Sequence, residues 1–122
     1  MRNFRELEIW KEGISIVKEV YELSMSFPKE ERFGLSAQIR RCAVSIPSNI
    51  AEGSGRGTRN DFARFMSISI GSSFELETQL IICYEIGLLN KTRMEYLIAK
   101  LQILQKRMGK YRRYLLTPSP KT

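Results

Sequence analysis

Residues 94–115, MEYLIAKLQILQKRMGKYRRYL, decide the fold of this chain. Their apolar side chains recur at alternating intervals of three and four, a spacing that places them on one face of an α-helix. The repeat holds for three heptads, which favours packing at a small crossing angle against neighbouring helices. The residues on this stripe are Met94, Leu97, Leu101, Leu104, Met108, Tyr111 and Leu115.

Toward the N-terminus, scarce glycines and prolines divide the chain into four intervals of similar length. They span about residues 3–27, 29–54, 58–87 and 90–116. Each interval carries helical spacing, and none alternates apolar and polar residues as a half-buried strand would. Four helices with short connections predict an all-α, up-down-up-down antiparallel four-helix bundle. We expect one domain over residues 1–116 and a flexible C-terminal tail over residues 117–122.

Local signals mark where these helices begin and end. Three predicted starts combine a capping side chain with an acid three positions later, which satisfies free backbone N–H groups and the positive helix end. These pairs are Asn3 with Glu6, Thr58 with Asp61, and Thr92 with Glu95. Gly53 and Gly87 stand where a left-handed residue would end a helix. The start of the second helix is open between Pro28, Gly34 and Ser36.

Pro47 lies inside the second interval. An interior proline lacks the N–H that would bond the carbonyl of Ala43, at a cost of about 3 kcal/mol. The apolar spacing nevertheless continues through it from Leu35 to Ile50. We therefore predict a continuous second helix with a kink at Pro47, in preference to a break.

A polar stripe follows the same helix beside its apolar stripe. An antiparallel hairpin turning at residues 54–58 would place part of this stripe opposite Glu75 on the third helix. Arginine can bind a carboxylate through two parallel hydrogen bonds, so an Arg41–Glu75 contact or a Gln38–Glu75 contact is expected. The alternative is that both stripes are solvated faces. The predicted structural polar network comprises Gln38, Arg41, Ser45, Asn49 and Glu75.

The positive charge is concentrated at the C-terminus. The chain carries a net charge of +7, but residues 91–122 hold nine basic groups and one acid. Lys106, Lys110 and Arg113 share one helical face, which Arg107 borders. The glycine-rich segment that opens the third helix carries two further arginines, Arg56 and Arg59. A tight hairpin connection is the favoured interpretation of this segment, with a contact to the RNA backbone as the alternative. Such a basic surface favours the binding of nucleic-acid phosphates, because their neutralisation releases condensed counterions.

The predicted nucleic-acid-binding residues are therefore Arg56, Arg59, Lys106, Arg107, Lys110 and Arg113. The alternative is that the basic helix end only complements the helix dipole and keeps the protein soluble. No RNA-binding motif with stacking aromatic residues is evident, so sequence-specific reading is not expected.

Composition excludes several classes of enzyme. The chain has no histidine and only two cysteines, so no His-dependent triad or dyad and no Cys-only zinc site can form. The remaining candidates for acid–base chemistry are Glu52, Asp61 and Glu75, without the Glu-x-x-His pair of a di-iron bundle. We predict no enzyme activity, no metal and no cofactor. Cys42 and Cys83 lie in apolar runs and are expected to be buried free thiols.

The N-terminus is charged and uncharged stretches are short. Neither a secretory signal nor a membrane span is expected, so the sequence predicts a cytoplasmic protein without a membrane partner.

The segment SIPSNIAEG at residues 45–53, followed by Gly55 and Arg56, resembles the signature of the 23S rRNA intervening-sequence protein family. GSSFELE at residues 71–77 resembles the third-helix motif of that family. FPKEE at residues 27–31 also fits, and the resemblance covers about residues 4–115.

The resemblance implies a small four-helix bundle that assembles as a homopentamer. A related protein, the accessory variability protein of diversity-generating retroelements, binds nucleic acid and partners a reverse transcriptase. We therefore expect a non-enzymatic, RNA- or DNA-associated protein; the alternative is a structural adaptor that binds a protein partner. Surplus apolar residues on the third helix independently indicate a self-association surface. They are Ile68, Ile70, Phe74, Ile81 and Ile82.

Overall fold

A computed structural model describes residues 3–31 and 33–118. These residues form four α-helices without any strand, so the prediction of an all-α four-helix bundle is confirmed. The helices are α1 (Glu8–Ser24), α2 (Leu35–Ser54), α3 (Arg59–Glu85) and α4 (Lys91–Leu116), with 3₁₀ turns at Phe4–Glu6 and Lys29–Glu31. Most of the predicted flexible tail, residues 119–122, lies outside the described residues. No helix in the described ranges combines the length and apolar character needed to cross a bilayer.

Each helix packs against two others. α1 and α3 both contact α2 and α4. Between α1 and α4, Lys100 pairs with Glu19 and Arg107 with Glu12, so residue numbers rise on one helix as they fall on the other. Helices α1 and α4 therefore run antiparallel, and the complete up-down-up-down order stays a prediction.

The predicted apolar stripes line the core. On α4 the stripe is buried at Leu97, Leu101, Leu104, Met108 and Leu115. On α1 one of the two stripes is buried and the other lies at its edge. The buried one contains Ile9, Gly13, Ile16, Val20 and Leu23. Each fully buried leucine or isoleucine contributes about 1.5–3 kcal/mol by leaving water, so this core holds the four helices together.

Helix α2 continues through Pro47, as predicted; the kink itself stays a prediction. The proline ring is buried against α1 at Gly13. A Cβ atom at Gly13 would lie 3.2 Å from the Cβ of Pro47. The absence of a side chain at residue 13 therefore lets the two helices approach at the proline.

The caps correct two of the predicted helix starts. Asn3 accepts from the Arg5 N–H and caps the first 3₁₀ turn, after which α1 begins at Glu8. Thr58 caps α3 as predicted, accepting from the Asp61 N–H at 3.0 Å. The prediction of Thr92 as the cap of α4 is wrong. Asn90 caps α4 and accepts from the Arg93 N–H at 2.8 Å. Asn90 has the extended backbone of a cap, and asparagine caps helices better than threonine. Gly34 is the N-cap of α2.

The two glycines predicted to end helices behave differently. Gly87 follows α3 with φ of 86°, the left-handed conformation expected of it. Gly53 is wrongly predicted, because it lies inside α2 and helical turns continue to Ser54. A Cβ there would approach Phe62 Cδ1 at 2.7 Å and Phe65 Cβ at 2.8 Å. Gly53 is therefore a close-packing residue between α2 and α3.

Candidate nucleic-acid interface

The second half of α4 presents an exposed basic face formed by Lys106, Lys110 and Arg113. The three side chains share this face because their spacing is four and then three. Within residues 3–31 and 33–118, none of the three makes an ion pair or side-chain hydrogen bond. The three cations are available to an external anion.

Other basic residues of α4 are bound to the protein itself. Lys100 lies between the Ser15 hydroxyl and the Glu19 carboxylate. Arg112 donates to the Ser67 hydroxyl at 2.6 Å. Arg107, also exposed, forms an ion pair with a buried Glu12 oxygen at 2.8 Å. Residues 100, 107 and 112 therefore hold α4 to its neighbours.

The structure gives the two arginines of the glycine-rich turn intramolecular contacts. Arg56 pairs with Glu52 at 3.2 Å and lies over the Phe65 ring at 4.7 Å. Arg59 donates to the carbonyl groups of Tyr114 and Leu115, at the end of α4. It also lies over the Tyr114 ring at 4.6 Å. The geometry brings Arg59 to the end of α4, whereas Arg56 stays at the turn.

Two tyrosines line a groove beside the basic face. Arg107, Lys110, Tyr111 and Tyr114 surround an open, mainly apolar groove of about 460 Å³. Sequence reasoning missed this aromatic surface, although the spacing of three and four between the four residues already places them on one face of α4. The missed signal was that two basic residues and two tyrosines share that single face.

A polar cavity of about 340 Å³ lies between α2 and α3. Its lining contains four of the five predicted network residues. The lining residues are Gln38, Arg41, Cys42, Ser45, Ser72, Glu75 and Gln79.

A hydrogen-bonded chain runs along one side of this cavity. The Ser45 and Ser72 hydroxyls lie 2.8 Å apart, and the Asn49 amide donates to the Ser45 carbonyl at 2.8 Å. The expected Arg41–Glu75 and Gln38–Glu75 bonds are absent among the described residues, and Glu75 is exposed. The Glu75 carboxylate instead faces the Cys42 thiol, whose pKa it helps to raise. The missing ion pair costs little, since surface ion pairs contribute only about 0–1 kcal/mol.

Both cysteines are buried free thiols, as predicted. Burial, with the negative charge of Glu75 adding to it, raises the pKa of Cys42 from 9.0 to about 12. The Cys42 thiol donates to the Ser72 carbonyl at 3.1 Å. Burial, followed by the charge of Glu31, raises the pKa of Cys83 to about 11. Thiols with these pKa values are almost fully protonated at neutral pH and are poor nucleophiles.

The three candidate acid–base carboxylates have different surroundings. Glu52 pairs with Arg56, Asp61 pairs with Arg64, and Glu75 borders the polar cavity. No group of three potential metal ligands occurs within the described ranges.

The family is established by sequence comparison. A profile described as 23S rRNA-intervening sequence protein matches residues 5–110. The chain belongs to this family. The match covers α1 to α3 and most of α4, so the resemblance at residues 45–53 and 71–77 is confirmed over nearly the whole bundle.

A solved structure shows the same fold. This family member is similar to a crystal structure described as a protein with unknown function from the S23 ribosomal protein family of Bacteroides thetaiotaomicron. The two share 20% sequence identity with a TM-score of 0.80, over 86% of this chain and 95% of that chain. No curated protein matches.

Proposed function

We propose that this protein is a non-enzymatic, self-associating four-helix bundle that binds RNA phosphates through α4. The observation that supports the proposal is the set of three exposed cations, Lys106, Lys110 and Arg113, which have no partner within the described residues. Neutralising phosphates with such cations releases counterions, which drives association without base recognition.

The alternative, that the basic residues only complement the dipole at the end of α4, is weaker. The carbonyl groups of Tyr114 and Leu115 already accept hydrogen bonds from Arg59. Lys106 and Lys110 lie more than one turn before these carbonyls, and the dipole effect fades beyond the last turn. Capping and the dipole therefore account for Arg59 and for Arg113 in the last turn of α4, and leave Lys106 and Lys110 unexplained.

A salt titration of RNA binding tests the proposal. The variant K106E/K110E/R113E is compared with K11E/K18E/K29E, which makes the same charge change at exposed residues of α1 and the following turn. We expect the α4 variant to weaken binding and to flatten the dependence of log K on log salt by about 0.7 per lost phosphate contact. The control should retain most of the wild-type slope. Equal weakening by both variants, or no binding by wild type, would overturn the proposal.

Self-association is the second part of the proposal. It is supported by four large apolar side chains of α3 that are each more than 40% exposed: Ile68, Phe74, Ile81 and Ile82. A second candidate function, a structural adaptor, is favoured by the same surface if it receives another protein. Light scattering of the purified protein separates the two, because an adaptor without self-association would have the mass of one chain.

A further inference from the structure

The aromatic groove on α4 carries a rigid platform. The Tyr111 ring centroid lies 5.6 Å from that of Phe62, which is buried, and 5.6 Å from that of Tyr114. Arg59 lies over the Tyr114 ring and is anchored to the backbone of α4. Arg59 is not among the residues lining the groove, so it supports Tyr114 from outside. The platform is therefore organised before any ligand arrives.

The groove side of the platform is open, since Tyr114 lines the groove while Arg59 lies over its ring from outside. Tyr114 is 54% exposed although its neighbours hold it in place. An exposed aromatic surface beside lysine and arginine is the combination with which proteins bind unpaired bases, because every base offers a face for stacking. A mainly apolar wall also favours a flat base over a lone phosphate.

The cations lie where a nucleic-acid backbone would need them. Lys110 belongs both to the groove and to the basic face, and Lys106 and Arg113 lie beside it. A strand whose phosphates follow this face would bring its bases to the tyrosines. In a duplex the bases are stacked on each other, and their faces are closed to a side-chain platform.

We propose that this groove binds an unpaired base of single-stranded RNA, stacked on Tyr114, while Lys110 and the basic face bind the flanking phosphates. The proposal rests on the proposed function and narrows its ligand to single strands. It assigns Arg59 a role as a positioning residue, in place of the phosphate contact predicted from sequence.

Fluorescence anisotropy with two matched strands tests the stacking step. One is a twelve-nucleotide RNA without internal pairing, and the other is the same length with abasic residues throughout, so both carry equal phosphate charge. The wild-type protein should bind the intact strand about tenfold or more tightly than the abasic strand. A twelve-base-pair RNA duplex formed by a self-complementary strand should bind more weakly than the unpaired strand.

Two substitutions at Tyr114 complete the test. Y114L removes the ring and should cost about tenfold or more on the intact strand, with an unchanged salt slope and no effect on the abasic strand. Y114F keeps the ring and should bind within about twofold of wild type. Circular dichroism melting checks that both variants fold, and the comparison of strands on wild type stands even if Y114L does not.

The outcomes separate the two proposals. If intact and abasic strands bind alike while K106E/K110E/R113E still loses binding, the stacking site is refuted and the phosphate-binding face stands. If wild type binds neither strand, both fail. Equal loss of binding in Y114L and Y114F would also refute stacking, since the two variants share only the loss of the hydroxyl and Y114F keeps the ring.

Discussion

At Gly53 the close approach of α3 leaves no room for a side chain. A Cβ atom would meet Phe62 and Phe65 at 2.7 and 2.8 Å, whereas at Gly71, inside α3, nothing lies within 4 Å. We expect G53A to destabilise the protein by about 1–3 kcal/mol through overpacking. G71A should stabilise it by about 0.5–1 kcal/mol, since alanine favours helix. Urea unfolding midpoints measure both; equal midpoints would contradict the packing described at Gly53.

The two buried thiols make stability depend on alkaline pH. Their pKa values are raised in the folded state, to about 12 for Cys42 and about 11 for Cys83. Above pH 9 the unfolded chain therefore loses thiol protons that the folded protein keeps, and the free energy of unfolding falls as pH rises. Between pH 8 and pH 10 the loss is about 1 kcal/mol for each thiol.

Urea titrations at both pH values measure this loss. The double variant C42A/C83A serves as the control, because lysine and tyrosine ionisation is common to both proteins. Its stability should fall less between pH 8 and pH 10 than that of wild type, whatever its absolute stability. Parallel declines would show that the thiols do not contribute.

Single residues were predicted best where one local rule acts alone. Thr58 and Gly87 followed from capping and left-handed geometry, and the structure agrees. Thr92 failed because Asn90, two residues earlier, competes for the same helix start. The prediction that Gly53 ends a helix failed because glycine is required there by the contact with α3. In sequence, a glycine needed for packing looks the same as one needed for a turn.

At the scale of elements, the end of α4 depends on a side chain from the start of α3. Arg59 donates to two carbonyls in the last turn of α4, 55 or more residues away in sequence. We expect R59L to destabilise the protein by about 1–3 kcal/mol, since hydrogen bonds from a charged donor would be lost. Amide hydrogen exchange at residues 113–117 should accelerate.

A neighbouring arginine provides the control for this element. Arg64 pairs with Asp61 of its own helix and is exposed, so R64L should leave exchange at the end of α4 unchanged. The salt slope of RNA binding should change little in R59L, because its cation serves the helix end. If R59L reduced the salt slope of RNA binding without accelerating amide exchange at residues 113–117, Arg59 would instead contact phosphate, as predicted from sequence.

Elements were predictable where burial repeats along the chain. The stripe on α4 and the continuation of α2 through Pro47 follow from apolar periodicity, which records the core directly. The partners of the polar side chains were less predictable. The facing of α2 and α3 brought Gln38, Arg41 and Glu75 to one cavity, but the bonds formed there join Asn49, Ser45 and Ser72. The register of α2 against α3 determines which residues lie opposite each other. Side-chain rotamers and hydration then determine which of them form hydrogen bonds.

At the scale of the whole molecule, the outward side of α3 is unusually apolar. Ile68, Phe74, Ile81 and Ile82 are 41–55% exposed there, and Gly71 and Thr78 between them are also exposed. Exposed apolar side chains of this kind support the self-association that we propose. The number of subunits does not follow from one chain, because closure depends on the angle between protomers.

Replacing one of these side chains with glutamate should disrupt self-association. We expect wild type to show a mass that is a multiple of 14.2 kDa, five by the family resemblance, in light scattering. F74E should shift the mass toward one protomer, because a buried unpaired charge at an interface costs several kcal/mol. The matched control is M25E, which puts the same charge at a 77% exposed methionine beyond the end of α1 and should leave the mass unchanged.

Because Phe74 is 55% exposed, the F74E protomer should keep its helical circular dichroism. A wild-type mass of one chain would refute self-association, and equal dissociation by F74E and M25E would place the interface elsewhere.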